Sequence, residues 1–137
     1  MENYIYIPAI VENWQIVYDF LVEHMKIANF EKSCAASVIF ASEEIYVNIS
    51  RYAYPGSQGN VLINFEHDPG ERLIKVSFVD DGIPFDPTKT QKPDSTKPVV
   101  ERKIGGLGIF IVNKITDGME YAYKRGQNNL VIIKKTS

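Results

Sequence analysis

Three short stretches of this 137-residue chain combine reactive residue types with a usable spacing. In Glu44-Ile45-Tyr46-Val47-Asn48 a carboxylate and an amide stand four residues apart, which on a helix sets them on one face. A carboxylate can take a proton from a hydroxyl or water, and a neutral amide oxygen can ligate Mg²⁺ without adding charge. The adjacent acid, Glu43, points about 100° away around the helix axis. A solvated polar stripe would show the same pattern.

The second stretch is Asp80-Asp81-Gly82-Ile83-Pro84-Phe85-Asp86-Pro87. Asp-Gly followed by Pro is ordinary turn chemistry. A period of two, however, sets Asp80 on the same strand face as Ile74, Val76 and Phe78, where an ionised carboxylate is costly without a partner. An acceptor-only group there can receive a hydrogen bond from the exocyclic amino group of adenine and reject guanine. Gly82 would let the backbone approach the base. The third stretch, Gly105-Gly106-Leu107-Gly108, opens a helical pattern. Free N–H groups and the positive end of the dipole at such a start form an anion site, while tight helix–sheet packing is the competing use. It is neither a P-loop nor Gly-x-Gly-x-x-Gly, because no Gly-Lys-Ser/Thr follows and no strand closely precedes it.

Elements of matching period must position these residues. Tyr4-Ile5-Tyr6-Ile7, ended by Pro8, predicts a short edge strand. Trp14, Val17, Phe20, Leu21 and Met25 recur at helical spacing over about 10–28. A second helix is predicted from about Ser33, as N-cap, to Tyr54, with Pro55-Gly56 as its stop. Val61, Ile63 and Phe65 predict a strand, His67 to Glu71 a turn, and Ile74, Val76, Phe78 and Asp80 the next strand. Residues 84–104 hold four of the seven prolines and no apolar periodicity; a loop of that length reads as a lid, placed at about 86–104. A third helix is predicted from Gly106 through Leu107, Phe110, Ile111, Lys114 and Ile115 to a C-cap at Gly118. Two closing strands, about Glu120 to Lys124 and Asn129 to Lys135, flank a turn at Gly126. The order β, α, α, β, β, lid, α, β, β predicts an α+β two-layer sandwich, a mostly antiparallel mixed sheet covered on one face by about three helices. The whole length, 1–137, is expected to be one domain.

Composition removes several function classes. Fifteen basic against seventeen acidic side chains give a net charge of −2, without the basic excess of a nucleic-acid coat. No apolar run approaches the roughly 20 residues of a membrane span, and the first residues lack signal-peptide character, so a cytoplasmic protein is expected. The single Cys34 can form no internal disulfide and reads as a small buried residue at a helix start. His24 and His67 read as a helix-surface and a turn residue, and Trp14 and the tyrosines as core and rim aromatics. The charge is uneven: residues 88–103 carry five basic and two acidic side chains, +3, leaving −5 on the remainder. A basic flap over an acidic body suits a polyphosphate ligand.

Taken in order, Glu-x-x-x-Asn on a helix, Asp-x-Gly-x-Pro after a strand, a lid and Gly-Leu-Gly opening a helix resemble the ATP-binding domain shared by gyrase, heat-shock chaperones, histidine kinases and mismatch-repair ATPases. This is the histidine-kinase-like ATPase domain of the GHKL superfamily, with the Bergerat-type ATP-binding fold. Within it the chain is most similar to the small anti-sigma-factor serine/threonine kinases of bacterial partner-switching systems. Glu44 to Tyr54, Val79 to Pro87 and Glu101 to Asp117 (ERKIGGLGIFIVNKITD) carry the likeness, together with Asn128 before the last strand.

The resemblance implies that Asn48 would coordinate the Mg²⁺ bridging the phosphates and that Glu44 would be the general base. Asp80 and Gly82 would hold adenine, with Pro84 where many relatives carry a second glycine. Gly105, Gly106, Leu107 and Gly108 would bring helix N–H groups to the phosphates. Lys89, Lys92, Lys97, Arg102 and Lys103 are the cations of the lid, and Arg102, nearest the glycines, is expected to meet the γ-phosphate. Many relatives carry a histidine four residues after the asparagine; here Tyr52 stands there. A histidine kinase proper is not expected, since no dimerisation helix pair precedes the domain and His24 falls within its first helix. The implied activity is ATP- and Mg²⁺-dependent phosphorylation of an anti-sigma-factor antagonist by a kinase that also binds a sigma factor and is usually a homodimer. The alternative is a weakly active or inactive nucleotide-dependent binding module.

Overall fold

The computed structural model describes residues 2–89 and 106–136. Among these residues the five strands are β1 (Tyr4–Pro8), β2 (Asn60–Asp68), β3 (Leu73–Asp80), β4 (Gly118–Lys124) and β5 (Gln127–Lys135). The helices are α1 (Trp14–Ile27), α2 (Lys32–Tyr52) and α3 (Gly106–Ile115). The sheet runs β1-β2-β3-β5-β4, and all four pairings are antiparallel. The architecture is the expected α+β sandwich, with an edge strand at β1; the sheet is antiparallel throughout instead of mixed.

Period two on the strands and period 3.6 on the helices meet in one core. Ile63, Phe78 and Leu130 form one buried row across the sheet, and Phe65, Val76 and Ile132 the next. Val17, Phe20, Leu21 and Met25 from α1 and Val38, Ala41, Ile45 and Tyr46 from α2 cover these rows. From α3 the buried residues are Ile109 and Val112, whereas Phe110, Ile111 and Ile115 are half-buried, a rotation of the predicted stripe. At one end of the sheet the buried face turns polar, where Asp80 sits opposite Asn128.

Several boundaries differ from the sequence reading for local reasons. The N-cap of α2 is Glu31, extended at φ −64° and ψ 145°, and Ser33 lies inside the helix, where its carbonyl accepts from Ser37 Oγ at 3.2 Å. Residue Gly118 caps nothing: α3 stops at Ile115, Asp117 N–H already bonds Ile133 O at 2.8 Å, and Gly118 opens β4. Strand β2 continues through His67 to Asp68, so His67 is an exposed strand residue and not part of a turn. Helix α1 ends in a Schellman arrangement, with Asn29 left-handed at φ 58°, Phe30 N–H on Met25 O and Asn29 N–H on Lys26 O. Cys34 is buried as expected, its thiol 3.5 Å from Lys135 O.

Candidate functional site

Helix α2 buries Val38, Ala41, Ile45 and Tyr46 in the core, and Glu44 and Asn48 stand on the face beside that stripe. The Tyr46 hydroxyl donates to Ile10 O at 2.6 Å, which pins the helix rotation to the chain leaving β1. Both Glu44 and Asn48 are half-buried, so the solvated-stripe reading of this face does not describe it. The Nδ2 of Asn48 is buried and has no hydrogen-bond partner among the described residues. Such an orphaned amide costs on the order of 1–3 kcal/mol, and turning it by half a rotation would present its oxygen instead.

Asn48 and Asp80 line the same cavity of about 300 Å³. Its α2 wall is Ile45, Asn48, Ile49, Tyr52 and Ala53, and α3 contributes Ile109. Asp80, Tyr121, Asn128 and Leu130 of the sheet and Ile83, Phe85 and Pro87 of the following loop complete it. The lining is mainly apolar with a few convergent polar groups, the usual character of a small-molecule site. Asp80, 5% exposed, is the carboxylate at its base. Oδ1 of Asp80 accepts from Gly82 N–H and from Asn128 Nδ2, each at 2.9 Å. Burial pushes its carboxyl above the ordinary range; those two hydrogen bonds oppose the rise and the nearby Asp81 charge adds to it. Burial likewise raises the Glu44 carboxyl, with Glu43 adding to the rise and Arg51 opposing it.

The remaining predicted residues divide. Gly82 is buried, and a Cβ there would lie 2.6 Å from Ala53 Cβ and collide with the Ala53 carbonyl. Its missing side chain therefore makes room for the end of α2, and Ile83 N–H bonds Ala53 O at 2.9 Å alongside. Pro84 is exposed and does not line the cavity; Ile83 and Phe85 on either side do. Gly106 and Leu107 begin α3, and a Cβ on Gly108 would stand 2.9 Å from Glu44 Cδ, so the carboxylate of α2 rests on the first turn of α3. Lys89 is exposed at the end of a short 3₁₀ turn, Pro87–Lys89. Lys92, Lys97, Arg102, Lys103 and Gly105, with most of the predicted lid, lie outside the described residues.

Reading the residues one by one missed three polar groups. Tyr54 OH accepts from Asp81 N–H at 2.9 Å and donates to Asn60 O at 2.6 Å, bracing the turn after β3. Tyr121 donates to Asn128 Oδ1, and Asn128 touches Asp80. A signal for Asn128 existed: period two along β5 puts it on the buried face with Leu130 and Ile132.

The family model that matches this chain is described as the histidine kinase-like ATPase domain, and the match runs over residues 7–135. The chain belongs to that family. Serine-protein kinases named RsbW from Bacillus cereus and Bacillus anthracis are 27% identical to it over 95 residues, and one from Bacillus thuringiensis is 26% identical. Those alignments take in 66% of this chain and 58% of the relatives, so the chain spans little more than half the length of the curated relatives it matches. A crystal structure of the RsbU and RsbW domains of a Mycobacterium tuberculosis protein superposes with a TM-score of 0.67 at 14% identity, over 96% of this chain and 32% of that one. This likeness establishes the fold.

A histidine kinase-like ATPase domain uses ATP, and the residues present fit that ligand. The cavity is lined largely by apolar walls and has an acceptor at its base, and the first turn of α3 lies against α2 beside Glu44. For Mg²⁺ the fit is through one group, the orphaned amide of Asn48. Among the described residues no cluster of three His, Cys, Asp or Glu side chains could hold a metal. That suits an ion that keeps its waters and takes most other ligands from phosphate. No described helix is long and apolar enough to cross a membrane.

Proposed function

We propose that this histidine kinase-like ATPase domain is a serine/threonine protein kinase that transfers the γ-phosphate of ATP to an anti-sigma-factor antagonist. In the same reading it acts as the anti-sigma factor, holding a sigma factor in the cytoplasm as a homodimer, without contacting nucleic acid or membrane itself. The observation that carries the proposal is the convergence of Asp80, Asn48 and Glu44: two of them line one cavity, and the third lies one helical turn along against α3. The relatives named serine-protein kinase support the reaction class.

Adenine would enter the apolar part of the cavity, its amino group donating to Asp80 and its faces meeting the aliphatic walls from Ile45, Ile49, Ile83 and Leu130. The triphosphate would then run past Asn48 toward the α3 N-terminus, where Gly106, Leu107 and Gly108 offer backbone N–H groups and the positive end of the dipole. Bound Mg²⁺, held by the Asn48 amide oxygen and phosphate oxygens, would neutralise charge on the phosphates. Glu44 would accept the proton of the incoming serine or threonine hydroxyl as the hydroxyl oxygen bonds the γ-phosphorus and the bond from that phosphorus to the β,γ-bridging oxygen breaks, releasing ADP. Its raised pKa makes it a better base than an exposed glutamate. Arg102 is the proposed γ-phosphate contact. Incubating the chain with radiolabelled ATP and a small antagonist protein encoded nearby tests this: wild type passes label, and Glu44→Ala binds ATP but transfers none. Unchanged transfer in that variant would remove Glu44 from the role.

One observation favours a second reading. Tyr52, 39% exposed on the cavity wall, stands where many relatives have histidine. A module that binds nucleotide and docks its partner without phosphoryl transfer would show ATP binding by calorimetry beside a blank kinase assay.

A further inference from the structure

Glu44 takes a proton only from a hydroxyl brought within hydrogen-bond reach of its carboxylate. That carboxylate lies against Gly108, where a Cβ would stand 2.9 Å from its Cδ, so an incoming hydroxyl meets it at the seam between α2 and α3. The two helices run in opposite directions along this seam. Helix α2 begins with Cys34 beside Lys135 and ends with Ala53 beside Gly82, at the Asp80 end of the sheet. Helix α3 leads the other way, to Gly118, which pairs with Ile133. One turn along the seam from Glu44 and Gly108, on the side away from the cavity, therefore stand Phe40 on α2 and Ile111 on α3. Phe40 is 38% exposed, Ile111 is half-buried, and half-buried Val47 borders Glu44 on the outer side of α2. A lone exposed phenylalanine needs no explanation. This one belongs to an apolar strip that adjoins the proposed base, on ground that any acceptor protein must cover for its hydroxyl to reach Glu44.

We propose that Phe40, flanked by Ile111 and Val47, is the specificity-determining contact for the phosphoacceptor protein and receives an apolar side chain close to the accepting hydroxyl. The proposal rests on the reading of Glu44 as the general base of a protein kinase. Spacing defines the occupant. Phe40 precedes Glu44 by four residues, about 6 Å along the helix axis. On an extended segment, side chains two residues apart share a face at about 6.6 Å. The acceptor is accordingly an extended stretch whose serine or threonine lies two places from an apolar residue: the hydroxyl meets Glu44 while the apolar side chain covers Phe40. Glu43 and Arg51, both exposed along the same side of α2, rim the strip with charges of both signs. The rim thus selects no net charge, and the apolar centre carries the discrimination.

The test follows labelled phosphate from ATP to the small antagonist protein encoded nearby, over a range of antagonist concentrations, for wild type, Phe40→Ser and Phe40→Leu. Each variant also has its ATP affinity measured by calorimetry and its melting curve recorded. Phe40→Ser should raise KM for the antagonist at least about tenfold, with kcat, ATP affinity and melting temperature close to wild type. Phe40→Leu keeps an apolar surface and should restore most of the loss. A change on the antagonist leaves the kinase fold untouched: alanine in place of the apolar residue two places from the labelled hydroxyl. It should raise KM by a similar factor with wild type and add little with Phe40→Ser, the non-additivity of a direct contact. Full additivity, or an antagonist with no apolar residue at that spacing, overturns the proposal. So does a KM unchanged in Phe40→Ser, including one accompanied by a lower kcat, which would tie Phe40 to the chemical step instead of the acceptor protein; in each case Glu44 keeps its assigned role. Wild type that passes no label overturns the kinase reading and this proposal together.

Discussion

Burial raises the Asp80 carboxyl above its ordinary value of 3.8, and the hydrogen bonds from Asn128 and Gly82 offset only part of the rise. The folded chain therefore holds this proton more tightly than the unfolded chain does. Stability linked to Asp80 is fully present below its ordinary carboxylate value and is lost as pH climbs through the raised one. When ionised, the buried side chain is a cost to the fold. Asp80→Asn keeps an oxygen to accept from Gly82 and Asn128 but removes the buried charge. We expect it to be about 1 kcal/mol more stable than wild type at pH 7, an advantage that shrinks in urea unfolding as pH falls toward the ordinary carboxylate range, and to lose ATP binding by at least about tenfold. A variant less stable than wild type at pH 7 would contradict this. Gly82→Ala should do the opposite to the fold. Its Cβ would drive into Ala53, so destabilisation of about 1–3 kcal/mol and weaker ATP binding are expected together, read by the same two measurements.

The β4–β5 hairpin closes through Arg125 and Gly126, at φ 57° and 76°, between the paired Lys124 and Gln127. Two successive left-handed residues are the geometry of a type I′ turn, which asparagine adopts at less cost than arginine. Arg125→Asn should therefore stabilise the chain by about 0.5–1 kcal/mol, a rise in melting temperature of a few degrees, without changing ATP affinity. An unchanged or lowered melting temperature would show that the turn is not the weak link it resembles. This turn was legible from Gly126 alone, as were the strands from their period and the buried setting of Asp80 from its register with Phe78. The candidate residues on α2 were legible as a pair because Glu44 and Asn48 lie four apart on one helix. What escaped depended on contacts between residues distant in sequence. The space Gly82 leaves is filled by Ala53, and the partner of Asp80 is Asn128, set by the pairing of β3 with β5. Gly118 misled because glycine marks helix ends only where φ turns positive, and here Asp117 had already joined β5.

For the whole molecule, the cavity lies between the sheet, α2 and α3, so a ligand in it touches each layer of the fold. Binding there should stabilise the chain as a unit, by the logarithm of ligand concentration over the dissociation constant. At a hundredfold excess over that constant the gain is about 2.7 kcal/mol, which for a chain of this size corresponds to a melting shift of about 8 °C. ATP with Mg²⁺ should produce this shift, GTP should not, because its 6-oxo group would face the Asp80 carboxylate, and Asp80→Asn should abolish it. Removing Mg²⁺ with a chelator should reduce the ATP shift, and Asn48→Ala should make the shift insensitive to Mg²⁺, since that amide is the metal's one protein ligand in this reading. If ATP leaves the melting curve of wild type unmoved at millimolar concentration, the cavity is not a nucleotide site. If instead GTP shifts it equally, nucleotide binds but Asp80 does not select the base. The two failures are separable in one set of curves, and only the first would return the glycines of α3 to a purely packing role.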